Sequence, residues 1–200
     1  MTGYKNLQVT FTLCSEMIIP DYPIGFDALL MKALTWRESI PPEQNEGRFD
    51  LPELPIERHP SSSLYLASIG FVCSAGRNAQ FFTKRYSGDV PYDLDLSGGY
   101  FKAHHQNVYT LACPVEVTFY CRGVLAEIQE LTALIPALGP KRSQGYGKVA
   151  GIQVTEIKED KSWIYQDEPM RAIPVRYYED KLQQWYYAFT SPVPPVMRPS

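Results

Sequence analysis

The hydrophobic positions in the first part of the chain follow two different periods. Apolar and polar side chains alternate from Leu7 to Leu13, which is the pattern of a β-strand with one buried face. From Phe26 the apolar positions recur every three or four residues as far as about Arg37, which predicts an amphipathic helix. Asp27, in the first turn of this helix, suits the helix dipole. The chain is therefore predicted to begin with a strand followed by a helix.

The same two periods return later in the chain. An apolar run at 64–73 predicts a second strand, and the alternation at 115–121 predicts a third. Apolar residues at 125–135 have helical spacing, and a run at 148–157 predicts the last strand, in which Gly151 permits a bulge. The order strand, helix, strand, strand, helix, strand is that of the α+β ferredoxin-like fold, βαββαβ, with an antiparallel sheet and both helices on one face.

The remaining segments lack a clear period. Residues 39–63 contain five prolines and many charges, which predicts a surface loop. Residues 74–112 are predicted to form a long insertion between the second and third strands, with a short hairpin arm at 81–86. Residues 158–200 are predicted to form a C-terminal extension with a proline-rich tail. We expect a single domain over 1–200.

A glycine-rich loop, defined here as residues 138–149 (LGPKRSQGYGKV), joins the second predicted helix to the last strand. Its glycines, Gly139, Gly145 and Gly147, allow positive φ and close approach of a bulky partner. A turn of this kind can direct several N–H groups at a phosphate. The candidate RNA-binding residues are Lys141, Arg142, Ser143, Gln144, Gly145, Tyr146, Gly147 and Lys148.

Charge supports a nucleic-acid site in the glycine-rich loop. No acidic residue occurs from Leu131 to Thr155, the lysines and arginine add positive charge, and Tyr146 offers a face on which a base can stack. These features favour a site for the nucleic-acid backbone, above all that of RNA. The alternative is that Gly139 ends the helix, Pro140 stops it and the cations are simply solvated.

Two nucleotide-binding motifs do not fit this loop. A P-loop requires Gly, four residues and then Gly-Lys-Ser/Thr, whereas Gly147-Lys148 is followed by Val149. A dinucleotide fingerprint opens a helix after a strand, and this loop has the reverse order. The sequence therefore argues against ATP and NAD, and we expect no cofactor.

A second cationic cluster, Lys102, His104 and His105, lies before the third predicted strand. It could contact RNA or provide general acid–base chemistry on a ribose. The alternative is that the histidines are exposed loop side chains without a role.

Composition sets further bounds. The net charge is −3, but residues 1–60 hold five Lys/Arg and nine Asp/Glu, so that the rest of the chain holds 14 and 13 and a basic groove can exist there. The cysteines have no Cys-x-x-Cys pair and fall in apolar runs, which predicts small buried side chains in a reducing compartment and no zinc site. No apolar run approaches the roughly 20 residues that span a bilayer, and no signal peptide is recognisable, so we expect a cytoplasmic protein.

These segments resemble the RAMP superfamily of CRISPR-associated proteins. The resemblance rests on the glycine-rich loop after the last helix and, for one branch, on three softer matches at 21–30, 100–103 and 171–175. Within the superfamily the chain is most similar to the small type IV subunit that binds the 5′ handle of CRISPR RNA. The resemblance covers roughly 7–190.

The resemblance implies a non-catalytic RNA-binding subunit without a metal. It would hold the 5′ handle, cap a filament of repeated backbone subunits and adjoin the large subunit, near where a target DNA duplex enters. The insertion at 74–112 would be a thumb-like element. Two alternatives remain open: a metal-independent endoribonuclease that uses His104 or His105 with Lys102 or a tyrosine, and a structural protein without RNA contact.

Overall fold

The computed structural model describes residues 3–39, 53–62, 64–84 and 104–174. Its strands and helices are β1 (Lys5–Leu13), β2 (Met17–Ile18), α1 (Phe26–Arg37), β3 (Phe71–Lys84), β4 (His104–Gly123), α2 (Leu125–Ala133), β5 (Val149–Glu156), β6 (Ile164–Tyr165) and β7 (Glu168–Pro169). In the described ranges no helix is both long and apolar enough to cross a membrane.

The main sheet has the strand order β3-β4-β1-β5, and every pairing in it is antiparallel. The short β2 pairs with β4 beside the end of β1, and β6 and β7 form a separate two-stranded ribbon. This order and the two intervening helices are those of the ferredoxin-like fold. The α+β fold class predicted from the sequence is therefore confirmed.

Both helices cover one face of this sheet because the strands present alternate apolar side chains to it. Leu7, Val9 and Phe11 of β1 are fully buried, and they belong to one core cluster with residues of α1 and α2. The ring of Phe119 in β4 stacks on that of Phe26 in α1, with centroids 5.1 Å apart. The periodicity of β1 and α1 thus predicted both elements and the buried face of β1, whereas α1 is buried more widely than predicted, because Asp27, Met31 and Thr35 are buried as well.

The second and third strands differ most from the prediction. The structure begins β3 at Phe71 rather than at residue 64, and β3 and β4 form one long hairpin whose register runs from Phe71 opposite Thr118 to Lys84 opposite His104. Residues 74–84 and 104–112 of the predicted insertion are therefore paired strands. Their sequence shows no alternation because the side chains of 75–79 are all exposed, so neither face of β3 is buried there. The tip of the predicted insertion, at 85–103, lies outside the described residues.

The prediction of a surface loop at 39–63 is wrong for the last part of that range. Leu54 and Ile56 are 4% and 2% exposed and join the main core, and Ile56 forms an isolated bridge with Gly123 of β4. The surrounding prolines and charges concealed these two apolar positions. Residues 40–52 lie outside the described part of the chain.

The prediction of buried cysteines is also wrong for most of them. Cys14, Cys73 and Cys113 are exposed, and Cys121 is buried. Cys14 follows the buried Leu13 at the end of β1 and therefore points outwards. The other two exposed cysteines lie on the hairpin of β3 and β4.

Candidate functional site

The glycine-rich loop has the backbone conformations that only glycine adopts easily. Gly147 has φ +67°, and a Cβ atom there would lie 1.8 Å from the carbonyl oxygen of Leu138. Gly139 has φ +79° and packs against Met17 and Ile18. Gly145, with φ +91°, faces open space, so only its φ requires glycine. The loop is thus shaped by tight packing at its two ends.

Backbone hydrogen bonds fix this loop to the strand end opposite it. The N–H of Gly147 donates to the carbonyl of Glu16 at 2.8 Å, and that of Lys148 donates to Ser15 Oγ at 2.8 Å. Within the loop, the N–H groups of Gln144 and Gly145 donate to carbonyls of a short 3-10 turn, Arg142–Gln144, and the residue before it. These four amides are engaged within the protein and are therefore not directed at a ligand.

The loop also packs against the long hairpin. The hydroxyl of Tyr146 donates to Gln80 Oε1, and its ring meets that of Phe82 edge-on with centroids 5.9 Å apart. The ammonium of Lys141 lies 4.2 Å from the centroid of the same phenylalanine ring. The predicted stacking face of Tyr146 is therefore half-buried and partly used by the protein.

The carboxylate of Glu16 stabilises this contact between the glycine-rich loop and the hairpin. Glu16 accepts hydrogen bonds from Asn78 at 2.9 Å, from Gln80 at 2.6 Å and from Thr110 at 2.9 Å. Because Gln80 also accepts from Tyr146, Glu16 is connected to the glycine-rich loop through both its carboxylate and its backbone carbonyl. Thr110 is fully buried, so this network fixes the hairpin against the core.

Among the described residues some cations are ion-paired, whereas others, which include Arg77 and Lys158 as well as the cations of the glycine-rich loop, are not. Six are paired with a carboxylate: Lys5, Arg37, Arg58, Arg122, Lys161 and Arg171. The loop cations Lys141, Arg142 and Lys148 have no carboxylate partner among the residues that the structure describes. Unpaired like charges on one surface create a positive potential that attracts anions. The paired cations do not contribute to such a potential to the same degree.

A further unpaired cation, Lys32 of α1, belongs to this surface and was not predicted. Burial lowers the pKa of its ammonium, and the nearby positive charge of Arg142 lowers that pKa further. Its ammonium lies 4.9 Å from the ring centroid of Trp36, one helical turn along. Spacing alone could not reveal this residue, because its proximity to the loop arises only from the packing of α1.

The structure accounts for the other predicted site residues in different ways. Ser143, Gln144, Gly145 and Lys148 are exposed and available to a ligand, whereas Gly147 is buried. The backbones of His104 and His105 begin β4, opposite Lys84 and Thr83. Lys102 lies outside the described residues.

No group of three or more metal-ligating side chains is found in the described ranges. The arrangement there is a basic surface on the glycine-rich loop, supported by a hydrogen-bond network in which Thr110 is buried and Glu16 and Gln80 are half-buried. It can bind an extended polyanion through several separate cations.

Fold and site together define an α+β protein of ferredoxin-like topology with a basic, preformed loop. No family model matches the sequence, and no curated protein matches it. Among solved structures, a chain from the cryo-EM structure of the type III-B Cmr-beta bound to cognate target RNA is similar to this one, with 13% identity and a TM-score of 0.47. The similarity covers 76% of this chain and spans 61% of the length of that chain.

Proposed function

We propose that this protein is a non-catalytic RNA-binding subunit of a type IV CRISPR effector complex, in which it holds the 5′ handle of the guide RNA. The observation that supports the proposal is the grouping of Lys32, Lys141, Arg142 and Lys148, all without carboxylate partners in the described residues, around one glycine-rich loop. In this proposal the four cations bind phosphates of the RNA, and the exposed Ser143 and Gln144 provide hydrogen bonds to ribose or to base edges.

The same proposal includes the place of the chain in a complex. It caps one end of a filament of repeated backbone subunits and adjoins the large subunit, near the entry of the target DNA duplex. The chain is one RAMP-like domain, and the hairpin of β3 and β4 forms the base of its thumb-like element. Residues 158–200 are its C-terminal extension.

The proposal is tested by binding of a synthetic handle RNA at several salt concentrations. Replacing Lys141 and Arg142 by alanine removes two phosphate contacts, so the slope of log affinity against log salt should fall by roughly 1.4. The matched control replaces Lys5 and Lys158, which line an open cleft at the other end of β1, and it should leave the slope almost unchanged. Equal effects of the two double variants would show that the loop is not the RNA site.

Absence of catalysis is tested separately. Purified protein with labelled repeat RNA in EDTA should leave the RNA intact. Specific cleavage that is lost on His104→Ala or His105→Ala would instead identify a metal-independent endoribonuclease. Purified protein that neither copurifies with RNA nor binds it would identify a structural subunit.

A further inference from the structure

The hairpin of β3 and β4 turns one of its two faces towards the glycine-rich loop. After the register shift near its start, β3 pairs regularly with β4, so its successive side chains alternate between the two faces. Asn78 and Gln80 both donate to the carboxylate of Glu16, and Phe82 contacts the loop. The even-numbered residues of this stretch therefore form the loop-facing side of β3, and the odd-numbered ones, which include Phe81, lie on the opposite side.

Two loop side chains meet the hairpin at the ring of Phe82. The ammonium of Lys141 lies 4.2 Å from the centroid of this ring, and the ring of Tyr146 makes a T-shaped contact with it at 5.9 Å. No carboxylate within the described ranges is paired with Lys141. An aromatic face attracts an ammonium more weakly than a charge-assisted hydrogen bond to a phosphate does. The ring therefore positions this cation without neutralising it, and a phosphate can take the ammonium over.

Phe82 and its neighbour Phe81 differ in how firmly they are held. Phe82 is half-buried between loop and hairpin, whereas Phe81 is 76% exposed. A ring that already has a fixed position loses little further side-chain freedom when a base stacks on it. Phe82 is therefore better prepared for stacking than the more exposed Phe81.

We propose that Phe82 and Lys141 form a subsite for one unpaired nucleotide of a single-stranded RNA. The ammonium of Lys141 exchanges its contact with the ring for a hydrogen bond to the phosphate, and the base stacks on the ring face that the ammonium covered. Because ammonium and ring lie together before binding, a nucleotide whose phosphate is bound by the first has its base within reach of the second. The RNA then follows the loop-facing side of the hairpin, and Phe81 lies outside its path. This inference rests on the proposed function, since it places the RNA that occupies the loop.

The test compares single-stranded handle RNA with the same RNA paired to its complement. Phe82→Leu keeps an apolar side chain but removes the π face, and it should weaken single-strand binding about 5- to 150-fold, the range for loss of one stacked base. Phe82→Tyr keeps a π face and should stay within a few-fold of the wild type. Phe81→Leu, the matched change on the opposite side, should have almost no effect. Duplex binding should change little in all three variants, because paired bases are not free to stack on a side chain.

Fluorescence gives a second readout that does not require a loss of affinity. Phe82→Trp and Phe81→Trp add one indole on either side of the hairpin, and their emission is compared with that of the wild type. Single-stranded RNA should quench the additional emission of Phe82→Trp, since a base stacks on the new ring. It should leave the additional emission of Phe81→Trp unchanged.

The outcomes separate this inference from the proposed function. If Lys141→Ala/Arg142→Ala abolishes binding while Phe82→Leu leaves it unchanged, the subsite is wrong and the RNA site in the loop stands. If Phe82→Leu weakens single strand and duplex equally, its ring only packs the loop against the hairpin and the inference fails. Equal losses in Phe81→Leu and Phe82→Leu would also overturn it, because the RNA would then not follow one side of the hairpin. If none of these variants changes binding, both proposals fail.

Discussion

The guanidinium of Arg171 lies 3.0 Å from the carboxylate of Asp27, and both side chains are almost completely buried. The same guanidinium donates hydrogen bonds to the backbone carbonyls of Tyr65, at 2.8 Å, and Ala67, at 3.2 Å. One side chain therefore joins three separate parts of the chain: the segment after β7, the start of α1 and the extended segment before β3. The position of α1, and with it that of Lys32, depends on this junction.

Removal of Arg171 should destabilise the protein strongly. Arg171→Ala leaves a buried carboxylate without its main partner, and loss of one partner of a buried ion pair costs about 3–5 kcal/mol. Urea denaturation measures this loss. Arg37→Ala breaks an exposed ion pair and is the matched control, for which we expect at most about 1 kcal/mol. A loss as small as that of the control would contradict the structural role of Arg171.

The effect of Arg171→Ala should also depend on pH. Burial raises the pKa of Asp27 above 3.8 in the folded protein, and the positive charge of Arg171 opposes this rise. Because the pKa of Asp27 is higher in the folded than in the unfolded protein, its protonated carboxyl contributes fully to the free energy of unfolding below pH 3.8. This contribution is lost as the pH rises through the pKa that Asp27 has in the folded protein. Without Arg171 the pKa of Asp27 rises further, so the variant loses more stability than the wild type as the pH rises. The difference in unfolding free energy between them should be smaller at about pH 4 than at about pH 7.

Gly147 should not tolerate a side chain. Gly147→Ala places its Cβ into the carbonyl of Leu138, so the turn must move. Gly145→Ala has the same left-handed strain, about 1–2 kcal/mol, but no clash, because nothing lies near its Cβ. We expect the first variant to lose clearly more unfolding free energy and more RNA affinity than the second. Equal losses would show that strain alone, and not the contact with Leu138, shapes the loop.

Glu16 should stabilise the contact between loop and hairpin. Glu16→Ala leaves the buried hydroxyl of Thr110 without its acceptor, which costs about 1–3 kcal/mol. Glu116→Ala changes an exposed glutamate of β4 and should be close to neutral. Thermal unfolding of both variants measures the difference. Equal destabilisation by Glu16→Ala and Glu116→Ala would show that the Glu16 network has no particular role in stability.

Three of the four thiols should react in the native protein. Cys14, Cys73 and Cys113 are exposed, whereas Cys121 is buried, and burial raises the pKa of the Cys121 thiol well above its usual range. A low concentration of thiolate at Cys121 adds to its lack of access. Titration with a chromophoric disulfide should therefore count three thiols before denaturation and four after it. A native count of four would show that the core around β4 opens readily.

The parts of the fold that the sequence predicts well are those with one buried face. In β1 and α1 the burial of alternate or every third or fourth side chain leaves its period in the sequence, so both elements were predicted to within two residues at each end. β3 has no such face, since even Phe71 and Val72 at its start are 40% and 45% exposed, and the predicted second strand was therefore shifted to the apolar run before it. In that run residues 64–68 are buried, but the run forms only isolated bridges.

The candidate site likewise has features that could be predicted from the sequence and features that could not. The loop and its cations could be predicted because glycine and charge are local signals. The contacts of Tyr146 with Gln80 and Phe82 could not, since they join residues far apart in sequence. Lys32 is hidden for the same reason, because only the tertiary structure brings the charge of Arg142 close enough to lower the pKa of its ammonium.

The internal hydrogen bonds of the glycine-rich loop have a thermodynamic consequence. The N–H groups of Gly147 and Lys148 are hydrogen-bonded to Glu16 and Ser15 without any ligand. The conformational entropy that is lost when the loop becomes ordered is therefore lost during folding and not during binding. An anionic ligand that binds to the loop would then meet a preformed turn, and its affinity would not be reduced by the ordering of these residues.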